Sequence, residues 1–191
     1  MGWETEELID AGNAVVTRVS FHSRGAGSGA ETVERSAEVY WVEDGAIVRY
    51  RRCQSRDEAL NLVTVRAVYE AANRRDLDAL FAMCHQDAEW ESDPRVPNAG
   101  IFRGRAEIER FMEDQDAPFE ASVAELERLI PAGDQVLALV RMRWRPRGST
   151  SEIDIRIAHL WTLRGGKAAR CQAFAEREKG FQAAGLPATA H

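Results

Sequence analysis

Leu129-Ile130-Pro131-Ala132-Gly133-Asp134 repeats Leu8-Ile9-Asp10-Ala11-Gly12-Asn13. From these hexapeptides the register runs without a gap for about 53 residues, at an offset of about 121, with roughly 15 identities. The matches fall on structural punctuation. Gly27-Ser28 meets Gly148-Ser149, and Asp44-Gly45 meets Gly165-Gly166, both turn sequences. Glu31 meets Glu152, Arg35 meets Arg156, Arg49 meets Arg170 and Arg56 meets Arg177. An ungapped run with its turns in register points to an internal duplication.

Each copy reads as three antiparallel strands and a tail. In the second copy 135–145 alternates, and 152–163 places Ile153, Ile155 and Ile157 on one face with Asp154, Arg156 and Ala158 on the other. Arg164-Gly165-Gly166-Lys167 is a tight turn into a third strand, 168–174. The first copy follows as 14–24, 31–42 and 46–53, after which Arg56-Asp57-Glu58-Ala59-Leu60 begins helical sequence.

The sequence between the copies occurs once. Residues 64–73 are amphipathic at helical spacing, with Val65, Val68, Tyr69 and Ala72 on one face. A second helix starts at Asp76, 88–92 is a short strand, 93–100 is a loop of turn residues, and 104–115 is a third helix. The order from residue 64 is helix, helix, strand, helix, then three strands. The expected division is a three-stranded half-copy in 1–63 and a complete α+β domain in 64–191. A full first copy would need about 60 residues upstream of Met1.

Composition sets broad limits. The chain has 191 residues, 45% of them hydrophobic, which is ordinary for a globular protein with a sizeable core. A formal net charge of -6 argues against a nucleic-acid partner. No apolar run approaches the roughly 20 residues that span a bilayer, so no membrane partner is expected. Met1-Gly2-Trp3-Glu4-Thr5-Glu6-Glu7 is acidic and lacks the apolar stretch of a secretory signal. Cys53, Cys84 and Cys171 are far apart and odd in number, which suits buried thiols in a reduced, cytoplasmic protein. His22, His85, His159 and His191 do not cluster at ligand spacing, so no metal or other cofactor is expected.

Several segments carry a family resemblance by their order and spacing. Asn73-Arg74-Arg75-Asp76-Leu77-Asp78-Ala79-Leu80 is followed by His85-Gln86-Asp87-Ala88-Glu89-Trp90 and by Phe102-Arg103-Gly104 before a helix. Ala158-His159-Leu160-Trp161 and Gly166-Lys167 complete the set. Together they resemble the SnoaL-like branch of the nuclear transport factor 2-like superfamily, over roughly 64–186 and again, for the last three strands, in 8–60. The resemblance implies a cone-shaped, curved antiparallel sheet wrapped by N-terminal helices, a cystatin-like roll, with an apolar pocket. It also implies dimerisation through the outer sheet face. The family includes ketosteroid isomerases, polyketide cyclases, limonene-type epoxide hydrolases and pure binding modules, and fold alone does not choose among them.

Carried over residue by residue, the resemblance tests each activity. The oxyanion-hole tyrosine of the ketosteroid isomerases falls on Val68, beside Tyr69, and their protonated aspartic acid falls on Ala158. Both donors are missing, so steroid isomerisation has no stabiliser for its enolate. Asp93, before Pro94, is the candidate base if a bulge turns it inward; otherwise it is a turn carboxylate. Asp154 and Arg156 could form an epoxide-hydrolase-like acid and base pair, or a structural ion pair, since Arg35 repeats Arg156 where no pocket is complete. His159 reads as an interface histidine or a proton shuttle. Tyr69, Trp90 and Phe174 read as pocket lining or as plain core.

The two copies and the family alignment disagree about faces. Thr32, Glu34, Ser36 and Glu38 replace Ile153, Ile155, Ile157 and His159, while Val33, Ala37, Val39 and Trp41 keep the other face apolar. A sheet face without helical cover should turn polar, which puts the isoleucines under helices. The family alignment puts them outside, or at a dimer interface, and the candidate site follows that alignment. The function expected is a small-molecule pocket, either an isomerase, cyclase or hydrolase using acid–base chemistry on an apolar substrate, or a non-catalytic binding domain or interaction scaffold. The half-copy, marginal alone, is expected to pack as a pseudo-dimer within the chain, or the chain to form a homodimer through the sheet face. Limited proteolysis should then leave 1–63 as protected as 64–191; rapid loss of 1–63 from a folded 64–191 fragment would sink the pseudo-dimer.

Overall fold

The structure, a computed structural model, describes residues 2–24 and 30–187. The chain is α+β and divides into two compact units, Met1–Val63 and Thr64–His191. Each is taken by itself. Among the described residues no helix is long and apolar enough to cross a membrane.

The first unit is an antiparallel meander of β1 (Gly2–Asp10), β2 (Ala14–Arg24), β3 (Glu31–Glu43) and β4 (Ala46–Cys53), in that order across the sheet. The β3–β4 turn needs two residues at positive φ, and Asp44 (50°) with Gly45 (76°) supplies them. On one face Ala14, Val16, Ala37 and Val39 are buried. On the other, Thr32 and Glu34 are exposed.

Helix α1 (Arg56–Asn73) crosses the division between the units. Then follow α2 (Leu77–Ala82), β5 (Cys84–Glu91), β6 (Ile101–Arg103), α3 (Gly104–Asp116), β7 (Phe119–Ala132), β8 (Gln135–Pro146), β9 (Ile153–Arg164), β10 (Lys167–Phe174) and α4 (Arg177–Ala183). The sheet order is β6-β5-β10-β9-β8-β7, with only β5 and β10 parallel. Asp76 caps α2 by accepting from the Ala79 N–H at 3.0 Å. Helix α4 packs Phe181 onto Leu137, Leu139, Ala158 and Leu160. Gly180 is required there, because a Cβ would come within 2.7 Å of the Ala158 methyl.

Each meander has four strands where the sequence reading has three. Both missed strands, β1 and β7, lie at a sheet edge, so little of their length is buried. Each also carries a β-bulge that breaks the period of two. The extra residue is Glu6 in β1 and Glu127 in β7, which correspond at the repeat offset. Both glutamates turn to arginines. Glu6 pairs with Arg18 and Arg35, at 2.8 and 3.1 Å, and Glu127 with Arg156 and Arg177, at 2.9 and 2.5 Å. A second shared irregularity puts one extra residue into the fourth strand, Val48 in β4 and Ala169 in β10. Gly12 and Gly133 both take positive φ, at 81° and 69°. The matched turn at Gly27-Ser28 lies outside the described residues.

Asn73 ends α1 and ties it to the edge strand. Its Nδ2 donates to the Ala124 carbonyl and its Oδ1 accepts from the Ala124 N–H, both at 2.9 Å. Replacing Asn73 with Ala removes both bonds and should cost about 1–3 kcal/mol in urea unfolding. Arg156→Ala, which breaks an exposed pair, should cost less than about 1 kcal/mol in the same assay.

Candidate functional site

The second unit encloses a cavity of about 260 Å³, bounded by α1, α2 and α3 and by one face of the sheet. Strand alternation decides which residues reach it. On β9 the wall is made by Ile155, Ile157, His159 and Trp161; β8 adds Met142 and Trp144; β5 and β10 add Trp90 and Cys171, which sit opposite each other in register. Helices supply Val68 and Tyr69, Leu80 and Phe81, and Ile108, Phe111 and Met112. The isoleucine face is therefore the inner one. The polar replacements in the first unit read the face correctly, and the family alignment read it wrongly.

Three aromatic groups form the polar centre. The Trp161 indole N–H donates to the Tyr69 hydroxyl at 3.1 Å, and that hydroxyl lies 2.7 Å from His159 Nδ1. An indole nitrogen only donates, so the phenol oxygen accepts from Trp161. In the Nε2–H tautomer of a neutral His159 the phenol also gives its own proton to Nδ1. Burial favours the neutral imidazole, pushing its pKa from 6.5 down to about 4. Burial likewise raises Tyr69 well above the usual phenol range, so the hydroxyl keeps its proton. Trp90 completes the cluster edge-on, its ring 5.2 Å from His159 and 5.9 Å from Trp161, centroid to centroid.

Asp93 borders the cavity but is not a free base. Its Oδ1 accepts from the Arg95 backbone N–H and Nε, at 3.0 and 2.9 Å. Its Oδ2 accepts from Arg95 Nη2 at 3.2 Å and from the Ala175 N–H at 2.7 Å. The Arg95 guanidinium, with those two backbone N–H groups, holds the carboxyl well below the usual carboxylate range. A base needs a pKa nearer the working pH. The carboxylate is a latch between the loop after β5 and the end of β10.

Asp154 and Arg156 do not reach the cavity. Alternation sends both to the opposite face, where Asp154 takes a forked contact from Arg141 at 2.9 and 2.5 Å and Arg156 pairs with Glu127. The pairing of Arg35 with Glu6 is the same contact in the first unit. Tyr69, Trp90, His159 and Phe174 all line the cavity. Sequence reasoning missed the role of Trp161 as donor to Tyr69, and missed Phe111, Met142 and Trp144 as lining; period-two alternation from Ile155 would have found Trp161. Burial pushes the Cys84 thiol up to about 11 and raises Cys171 well above the usual thiol range, which keeps both protonated. Among the described residues no three His, Cys, Asp or Glu side chains gather to hold a metal ion.

The model of the SnoaL-like domain matches residues 65–171. A nuclear transport factor 2-like protein from Burkholderia thailandensis is 26% identical, covering 66% of this chain and 98% of its own, with a TM-score of 0.56. TerC, crystallised with polyporic acid, is 20% identical over 66% of this chain and 98% of its own, with a TM-score of 0.57. A protein of ketosteroid isomerase-like fold from Catenulispora acidiphila, in complex with trimethylamine, is 20% identical over 67% of this chain and 96% of its own, with a TM-score of 0.53. No curated protein matches.

The two shifted groups act in separate pH intervals. Both have folded pKa values below their unfolded ones, so the unfolded chain takes the proton first and stability falls as pH drops. For His159 the stability is intact above 6.5 and lost on the way down to about 4; for Asp93 the loss begins near the ordinary carboxylate value of 3.8 and continues below it. Urea unfolding across this range should show His159→Gln, which keeps an acceptor for Tyr69, without the upper slope. Asp93→Asn should keep the upper slope and lessen the lower, to which the arginine-paired Glu6, Asp87, Glu127 and Asp154 also contribute.

Proposed function

The chain belongs to the SnoaL-like domain family, and we propose that its second unit binds an uncharged, largely apolar small molecule carrying a hydrogen-bond acceptor such as a carbonyl oxygen. One observation carries this reading: the titratable group at the cavity's centre is a neutral histidine. Its Nδ1 is occupied by Tyr69, and the nearby carboxylate of Asp93 is saturated by Arg95 and Ala175. The other charged side chains that line the cavity already pair within the chain, Arg75 with Asp116, Glu89 with Arg103 and Arg170 with Glu91. A charged ligand would compete with those pairs and would lose its hydration. An apolar body would instead bury surface against Trp90, Trp161, Phe111 and the isoleucines, at about 25 cal/mol per Å². The Nε2–H of His159 offers a donor to the ligand's acceptor.

A catalytic reading runs through the same residue. An isomerase, cyclase or hydrolase here would move its protons at His159, since Asp93 is already saturated and Asp154 and Arg156 are on the far face. Its hydrogen bond to Tyr69 supports this second reading. Turnover lost in His159→Gln with ligand affinity retained would favour it over binding alone.

The test is a thermal-shift and tryptophan-quenching panel of aromatic ketones and quinones, their hydrocarbon analogues, and quaternary amines. The ketone should bind about tenfold more tightly than its hydrocarbon analogue, the worth of one hydrogen bond. His159→Leu should erase that ratio whatever it does to stability. Preference for the amines would overturn the proposal in favour of a cation held on aromatic faces.

A further inference from the structure

We infer that the outer edge of β4 is a docking site for an extended acidic segment, added parallel to β4 as β5 is added to β10. This is independent of the cavity. It rests on the correspondence between the two fourth strands, which share a glycine turn before them, an extra residue (Val48 and Ala169), and an arginine after it (Arg49 and Arg170). Yet β10 is an interior strand, with β9 on one side and β5 on the other, whereas among the described residues β4 pairs only with β3 and ends its sheet.

The second unit displays what the missing neighbour looks like. Strand β5 runs parallel to β10 with Glu89 beside Arg170 and Glu91 beside Gln172. Arg170 donates to Glu91 at 2.5 Å, and Gln172 donates to it at 2.9 Å. In β4, Arg49 stands at the place of Arg170 and Arg51 at that of Gln172. The Arg49 side chain is exposed and makes no ion pair among the described residues. Val48 and Tyr50 alternate with these cations, after Ile47, and the three are 54%, 52% and 63% exposed. An added strand would bond the open backbone edge, match an acid to Arg49 and cover these apolar groups.

Charge selects the occupant. Two copies of β4 side by side would set arginines against arginines, which disfavours self-pairing. The segment that fits has acids at alternate positions with an apolar residue between them, as in Glu89-Trp90-Glu91.

The chain itself provides the probe, a capped synthetic peptide of residues 82–93 with Cys84→Ser. Titrated to millimolar concentration into the isotope-labelled full chain, it should saturate amide shifts confined to 46–53. Arg49→Glu should weaken binding about tenfold, and a peptide carrying Glu89→Lys and Glu91→Lys should not bind. The proposal is overturned by an absence of saturable shifts, which leaves the arginines as protection against edge pairing. It is also overturned by shifts in β10 alone, by equal binding to the Arg49→Glu variant, or by self-association of the chain that the peptide competes away.

Discussion

The hydrogen-bonded line from Trp161 through Tyr69 to His159 is the interaction on which the second unit's organisation turns. Tyr69 belongs to α1 and the other two residues to β9, so two bonds fix the rotation of the helix over the sheet. That rotation places Val68 and Ala72 against the cavity and leaves Asn73 at the helix end, where it grips Ala124. The same line settles the chemistry of the wall. A tyrosine whose proton is taken by Nδ1 cannot donate to a ligand, and a histidine so bonded presents one donor and no charge.

Much of this was legible in the chain before the structure. Six of the eight meander strands were readable from turns and alternation, although β4 and β10 each carry an extra residue. Strands β1 and β7 were hidden because Glu6 and Glu127 each shift the alternation by one, so that Leu126 and Leu129 fall at a helical spacing. Which face of β9 is inner was also present, in the exchange of isoleucines for Thr32, Glu34 and Ser36. Burial demands apolar residues on whichever face has cover, and an alignment to distant relatives has no comparable constraint. The saturation of Asp93 could not be read locally. Arg95 lies two residues away, but Ala175 is brought to the carboxylate only by the parallel pairing of β5 with β10.

The first unit indicates how the same scaffold behaves when that inner face is polar. Glu38, Tyr40 and Tyr50 hold the places of His159, Trp161 and Cys171. Both phenols donate to the Glu38 carboxylate, at 2.5 and 3.0 Å, and that carboxylate helps push Tyr40 up to about 12. A relay of neutral rings around a cavity is replaced by a charged, self-satisfied cluster with no need of a ligand. The outer-face contacts, Glu6 with Arg35 and Glu127 with Arg156, are indifferent to the change.

The parallel pairing of β5 with β10 also sets an order of events during synthesis. The first unit's meander contains only neighbouring strands, so its pairings need no residue beyond 53. In the second unit, β5 is made early but waits for β10, and Asp93 waits for Ala175, near the end of the chain. Until then the tryptophan of β5 and the apolar faces of α1 and α3 have no sheet to cover them. In that interval the second unit's apolar surface lacks part of its cover, the condition under which aggregation competes with folding.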